Sequence, residues 1–283
     1  MRKFPSIIKW SGSKRLVATA LAEKFPSFKR YFEPFVGGGS MLPYSNKKAG
    51  FASDIIPELI ELWKLIQNEP EMVAYEYEQR WKRLQKEGPD AYYEIRKHFN
   101  ESRNSFDFLF LSRTCVNGLI RFNSNGDFNN SFHLSRPGIN PSTFSKQIQL
   151  WSNHIQNFVF STCDYRIALE DAKQGDFVFL DPPYGGTKGR YTVGTFDLNA
   201  FYEELDRLNS VGVKWMLTFD GKAGNRTYSF APPKELYINR FSILTGNSTF
   251  TKIENKRIDR IEESVYLNYK IADIQTDLFK NVI

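Results

Sequence analysis

The chain is predicted to be an α/β domain divided once by a mostly helical insertion, and three observations predict it. Short apolar runs that end in glycine or aspartate occur near both ends of the chain and read as buried strands. Between them, from Pro57 onward, apolar residues fall at helical spacing with almost no strand signal. Strands resume after "RPGINP" (136–141), a loop near the return point of the insertion.

Taken in order, "RYFEPF" (30–35) and "GFASD" (50–54) are the first strands, joined by a glycine-rich turn and a short helix. "PELIELWKLIQN" then places Leu59, Leu62, Trp63 and Ile66 on one helical face. Further helices are expected around 72–84, 91–99 and 106–115. "LIRFNSNGDFNNSF" reads as a hairpin turning at Asn125, Gly126 and Asp127. The later strands are "FVFSTCD" (158–164), "DFVFLD" (176–181) and "KWMLTFD" (214–220), followed by "ELYINRF" and "ESVYLNY" with a basic loop between them. The expected domains are therefore 1–56 with 156–283, and 57–155.

Composition bounds what such a chain can do. Its 283 residues suffice for one large domain or a core domain with an insertion, and 41% hydrophobic with 25% charged residues is ordinary for a globular protein. No apolar run approaches a bilayer span, and "MRKFPSIIKW" lacks the features of a signal peptide, so a cytoplasmic location is expected. Cys115 and Cys163 show no ligand spacing and His98, His133 and His154 form no cluster, so no metal is expected. The net charge is +6, and the segment 221–260 holds eight basic residues against three acidic ones. Such an excess suits a phosphate backbone, and equally a solvated basic face.

Asp54, Asp164 and Asp181 each close a predicted strand, the edge at which open α/β sheets bind ligands. A helix N-cap is the commoner fate of any one of them. "EPFVGGGS" (33–40) supplies a tight turn through Gly37, Gly38 and Gly39, and Asp54 follows where an acid would accept ribose hydroxyls. A nucleoside-containing cofactor is the economical inference. "DFVFLDPPY" delivers Asp181 at the end of a buried run, then stiffens the chain with Pro182 and Pro183 before Tyr184.

"KWSGSK", "FEPFVGGGS", "SDIIPELI", "RTCVNGLIRFNSNGDFN" and "GDFVFLDPPY", in this order, resemble the Dam-type DNA adenine-N6 methyltransferases across most of residues 7–184. The resemblance implies a Rossmann-like seven-stranded sheet that binds S-adenosylmethionine, with a helical target-recognition domain carrying a β-hairpin. It implies that Asp181 and the Pro182 carbonyl accept hydrogen bonds from N6 of a flipped adenine, that Pro183 stiffens the loop, and that Tyr184 stacks on the base. For the cofactor it implies Trp10, Lys14 (near the cofactor carboxylate), Phe35, the glycine turn, Asp54, Asp164 and Tyr165. For DNA it implies Asn117, Arg121, Asn123 and Asn125 of the hairpin; the basic segment 221–260, beyond the reach of the resemblance, offers Lys252, Lys256 and Arg257 to phosphates.

The hairpin continues "FNNSFHLSRPGINP" where Dam-type hairpins commonly read "FNVPFG", and the segments after Tyr184 and Leu217 also depart from the family. A GATC target is therefore not carried over. The departures favour a restriction-modification or phage enzyme acting as a monomer on double-stranded DNA, with a restriction endonuclease of the same site as its partner. Two alternatives stay open: an aminomethyltransferase acting on cytosine N4 or another acceptor, and a catalytically silent DNA-binding module.

Overall fold

A computed structural model describes residues 4–45, 48–135, 137–183, 196–223, 226–228, 231–247 and 260–270. Among these residues eight strands form one sheet: β1 Tyr31–Glu33, β2 Gly50–Asp54, β3 Phe158–Thr162, β4 Phe177–Leu180, β5 Lys214–Ala223, β6 Arg226–Tyr228, β7 Asn239–Asn247 and β8 Arg260–Leu267. Seven of them run in the order β3-β2-β1-β4-β5-β8-β7, and β6 pairs with the far end of β5. The strands from β3 to β5 are parallel, whereas β8 is antiparallel to both of its neighbours. The architecture is the expected Rossmann-like methyltransferase sheet.

Why the central strands read as unbroken apolar runs is visible in their packing, because a parallel sheet is covered on both faces. Phe177 and Phe179 of β4 point to one face, beside Phe25, Phe28 and Tyr31, while Val178 and Leu180 point to the other, with Phe32, Leu169, Phe201 and Leu205. The second face lies under α7 (Tyr165–Leu169) and α8 (Leu198–Ser210). Asp197 caps α8, its Oδ1 accepting from the amides of Asn199 and Ala200.

The first face is covered by α1 (Ala18–Ala22) and by the helical segment, which holds α2 (Pro57–Asn68), α3 (Pro70–Glu87), α4 (Pro89–Ser102), α5 (Ser105–Thr114) and α6 (Pro141–Ile155). Pro57, Pro70, Pro89 and Pro141 each open their helix, where a missing N–H costs nothing. Helices α6 and α8 were not placed individually from sequence; α6 buries Phe144, Ile148, Trp151 and Ile155 at helical spacing. The apolar core of this segment is continuous with that of the sheet: Trp63 stacks on Phe160 of β3 at 5.9 Å and meets Trp151 at 5.2 Å.

Several details differ from expectation, among them β1, which spans only Tyr31–Glu33, and β5, which runs on to Ala223. Strand β3 stops at Thr162, because Asp164 caps α7. Glu235 lies in a 3-10 turn after Pro233, and β7 begins only at Asn239. The hairpin pairs sparsely, through Phe122 with Phe128 and Cys115 with Phe132.

Candidate active site

Strand β1 lies between β2 and β4, so the connections leaving β1 and β4 diverge and open a crevice at their carboxyl ends. The glycine turn forms one wall of it. Gly37 and Gly39 have φ of +44° and +64°, the left-handed region that a side chain disfavours. The neighbours demand glycine as well: a Cβ on Gly37 would lie 2.5 Å from the Trp10 indole nitrogen, one on Gly38 2.9 Å from Trp10 Cβ, and one on Gly39 2.7 Å from Trp63. Trp63 Nε1 donates to the Gly37 carbonyl at 3.0 Å. Two tryptophans thus clamp the turn, and Trp10 acts on it by packing.

Asp54 ends β2 beneath this turn. Its Oδ2 accepts from the Gly37 amide at 3.1 Å and its Oδ1 from the Ile56 amide at 3.3 Å. Burial pushes the carboxyl up to about 6, against the pull of these amides. The next residue, Ile55, is 50% exposed and offers an apolar surface beside the acid.

Asp164 does cap α7: Oδ1 accepts from the Arg166 amide at 3.1 Å and pairs with Arg166 Nε at 2.7 Å. Both bonds fall on one oxygen. Tyr165 is buried among Phe35 (5.5 Å between centroids), Phe196 and Phe201, and burial pushes its phenol up to about 12. Phe35 and Tyr165 therefore build one aromatic wall.

Asp181 emerges from β4 into a dense polar cluster. Its Oδ1 accepts from Thr218 Oγ1 at 2.9 Å and pairs with Lys14 Nζ at 2.8 Å. Lys14, only 2% exposed, also meets Glu263 Oε2 of β8 at 3.3 Å and donates to the Gly12 carbonyl at 3.0 Å. Burial raises the Asp181 carboxyl, Lys14 pulls it down, and Glu263 raises it. On the neighbouring strand Glu33, 3% exposed, accepts from the Tyr31 hydroxyl at 2.7 Å, and burial pushes it up to about 8. Pro182 is buried and Pro183 exposed, while Tyr184 lies outside the described residues. Lys14, which resemblance associated with the cofactor carboxylate, meets Asp181 in this structure.

Glu33, Thr218 and Glu263 were missed as site residues, although two carried a signal in sequence. Glu263 shares a face with Val265 and Leu267, and Glu33 with Tyr31; an acid in register with buried apolar residues needs a partner.

The hairpin divides its polar residues. Asn123 Oδ1 accepts from the amides of Asn125 and Asp127, both at 2.9 Å, so this side chain builds the turn. Arg121 is exposed, with Nε on Asn129 Oδ1 at 2.9 Å, and Asn125 sits exposed at the tip. Asn117 takes a left-handed φ of +58° next to Gly118, whose missing Cβ makes room for the stem of Lys9. Lys252, Lys256 and Arg257 lie outside the described residues. Among the described residues there is no group of three or more histidine, cysteine or acidic side chains placed to hold a metal ion. Burial pushes the Cys115 thiol up to about 11, which leaves it unreactive at neutral pH.

This geometry coincides with a family match. A model described as D12 class N6 adenine-specific DNA methyltransferase covers residues 10–251. The type II methyltransferase M.MjaIII of Methanocaldococcus jannaschii is 28% identical over 93% of this chain and 98% of its own length. The DNA adenine methylase of Haemophilus influenzae is 30% identical over 64% of each chain, so this chain spans just under two thirds of that relative. The DNA N-6-adenine-methyltransferase of Escherichia phage P1 is 30% identical over 76% of this chain and 30% of its own length. The chain belongs to the D12 class N6 adenine-specific DNA methyltransferase family, and its activity is methyl transfer to N6 of adenine at a specific site in DNA.

Proposed function

We propose that the protein takes its methyl group from S-adenosylmethionine and delivers it to an adenine turned out of the duplex, with Asp181 as the acceptor that aims N6. One observation carries the reading: a carboxylate whose Oδ1 takes both Thr218 and Lys14 ends β4 at the strand-switch crevice, and an acid under a glycine turn ends β2 on the other side of β1.

The residues fit the cofactor chemically. A carboxyl near 6 is largely ionised at neutral pH, so Asp54 can accept ribose hydroxyls, and half-exposed Ile55 offers an apolar face to a purine. Asp164 keeps an oxygen outside its cap for an exocyclic amine, beside the Phe35 and Tyr165 wall. When bound, the cofactor supplies an electrophilic methyl on a sulfonium sulfur. The amine of adenine is a poor nucleophile, because its lone pair is delocalised into the ring. Asp181 and the Pro182 carbonyl accept hydrogen bonds from the two N6–H groups, which favours a localised lone pair on the nitrogen. Tyr184 stacks on the extruded base, a contact of about 1 to 3 kcal/mol. Acceleration comes from positioning and preorganised charge.

Residues 57–155 read the target, with Arg121, Asn117 and Asn125 toward bases or phosphates, while Lys252, Lys256 and Arg257 grip the backbone. Asn123 enters this reading as the residue that shapes the hairpin tip. The relative named a type II methyltransferase supports a restriction-modification role with an endonuclease of the same site. The enzyme acts as a monomer in the cytoplasm. Among the described residues no helix is long and apolar enough to cross a membrane.

Sequencing a DNA treated with protein and labelled cofactor for N6-methyladenine tests the transfer. Asp181→Ala is expected to abolish methylation while DNA binding largely survives. Methylation by that variant at the wild-type rate would overturn the mechanism, and a product labelled at cytosine N4 would replace it.

A further inference from the structure

The polar cluster around Asp181 contains more than a methyl-transfer acceptor requires. Lys14 has three N–H donors. Asp181 Oδ1 and the Gly12 carbonyl lie at 2.8 and 3.0 Å from its nitrogen, and Glu263 Oε2 lies at 3.3 Å as an ion pair without a hydrogen bond. Swinging this ammonium toward a ligand would strand two mostly buried carboxylates facing each other, a severe cost in a medium of low polarity. We propose that Lys14 is a positioning residue for the Asp181 carboxylate, locked in place by Glu263, and does not ligate the cofactor.

The fold supports this assignment from four elements. Lys14 opens the 3-10 turn Lys14–Leu16 near the start of the chain. Thr218 of β5 donates to the same oxygen of Asp181 that Lys14 occupies, and its hydroxyl also lies 3.3 Å from the Leu180 carbonyl. Glu263 comes from β8, the strand that runs against β5. The ladder between these two strands slips between Phe219 and Gly221, opposite Ser264 and Glu263, and such a bulge re-aims side chains. Glu33 of β1, hydrogen-bonded to Tyr31, is a further titratable group that feels the charge of Asp181. With Oδ1 held by two donors, rotation of the Asp181 carboxylate is fixed and Oδ2 is the acceptor presented to N6. Lys14 favours the ionised form of this carboxylate against the effect of burial, and Glu263 tempers that pull from the other side of the ammonium.

The proposal rests on Asp181 as the N6 acceptor, and its test separates the two. Cofactor affinity is measured by calorimetry with S-adenosylmethionine, and the pH profile of single-turnover methylation is followed on its acid side. Asp181 must be ionised to accept from N6, so the rate falls as pH drops through its titration.

Lys14→Met is expected to leave cofactor affinity unchanged and to move the acid limb to higher pH by about one unit or more, because the attracting charge is gone. Glu263→Gln is expected to leave affinity unchanged and to move the limb the opposite way, because a like charge is gone. Two changes that touch neither substrate nor cofactor would thus shift one limb in opposite directions, which a merely structural role does not produce. If Lys14→Met does not fold, the Lys14→Met Glu263→Gln double variant replaces it, with its limb still expected above that of wild type. Cofactor binding weakened about tenfold or more by Lys14→Met with the limb unmoved, or limbs that move the same way, would overturn the proposal. Unmoved limbs alongside an inactive Asp181→Ala would sink the clamp alone; an active Asp181→Ala would sink the acceptor reading with it.

Discussion

Glu33→Gln offers a signed test of the charge state inside the site. Glu33 is 3% exposed, accepts from Tyr31 at 2.7 Å, and has its carboxyl pushed up from 4.5 to about 8 by burial, with Asp181 adding to the rise. Folding at pH 7 therefore takes up a proton that the unfolded carboxyl lacks. Each pH unit above 4.5 costs about 1.4 kcal/mol, so the uptake costs about 3 kcal/mol at pH 7. A raised acid leaves stability intact below the unfolded value of 4.5, and the stability is lost progressively as pH rises toward 8. Glutamine is nearly isosteric, keeps an acceptor for Tyr31 and takes up no proton. Urea unfolding of both proteins at pH 4.5, 6, 7 and 8.5 should show the variant gaining on the wild type by about 3 kcal/mol between pH 4.5 and 7, with the gain levelling above 8. The difference at pH 4.5 isolates the packing cost of the amide. Asp54 and the other titrating groups are common to both proteins and cancel to first order. A difference that stays flat with pH, or one that favours wild type as pH rises, would mean that Glu33 is ionised in the fold and the reasoning fails.

Other substitutions probe the rest of the site. Asp54→Ala removes a charged acceptor worth about 1.5 to 3 kcal/mol, so cofactor affinity by calorimetry should fall about 10- to 100-fold while circular dichroism keeps the native signal. Gly37→Ala forces a side chain into φ +44° and to within 2.5 Å of Trp10; a loss of at least about 1 to 2 kcal/mol in urea unfolding is expected, with weakened cofactor binding. Arg121→Ala should relax the preference for one target over related sequences without altering thermal stability. Asn123→Ala should instead disorder the hairpin tip, seen as local amide exchange at Asn125 and Asp127, because it strips the acceptor from both amides.

The strand runs, the helical period of the insertion and the ends of the strands were legible in sequence because they follow from local pattern. Phe177 to Leu180 are buried on both sides, so their apolar run carries no alternation to misread. The motif at Asp181 was legible for the same reason: prolines terminate a strand in any surroundings. Partnerships between distant residues were less so. The three glycines suggested room for a ligand, whereas the fold fills that room with Trp10 and Trp63, one from before the turn and one from the helix after β2. Asn123 looked like a reader of bases, but its acceptor closes the turn on which it sits, and only the bend of the chain could show that.

Asp181 shows the division most plainly. Its position at the end of a strand was determined by the residues immediately around it. Its partners come from residues 14 and 218, and residue 263 holds residue 14 in turn; they meet because β5 stands next to β4 and β8 returns antiparallel beside β5. Strand order in a sheet is decided by how all the faces are buried together. A charge brought in from 167 positions away leaves no mark on local pattern beyond an acid at 33 and another at 263, each standing among residues that should be apolar.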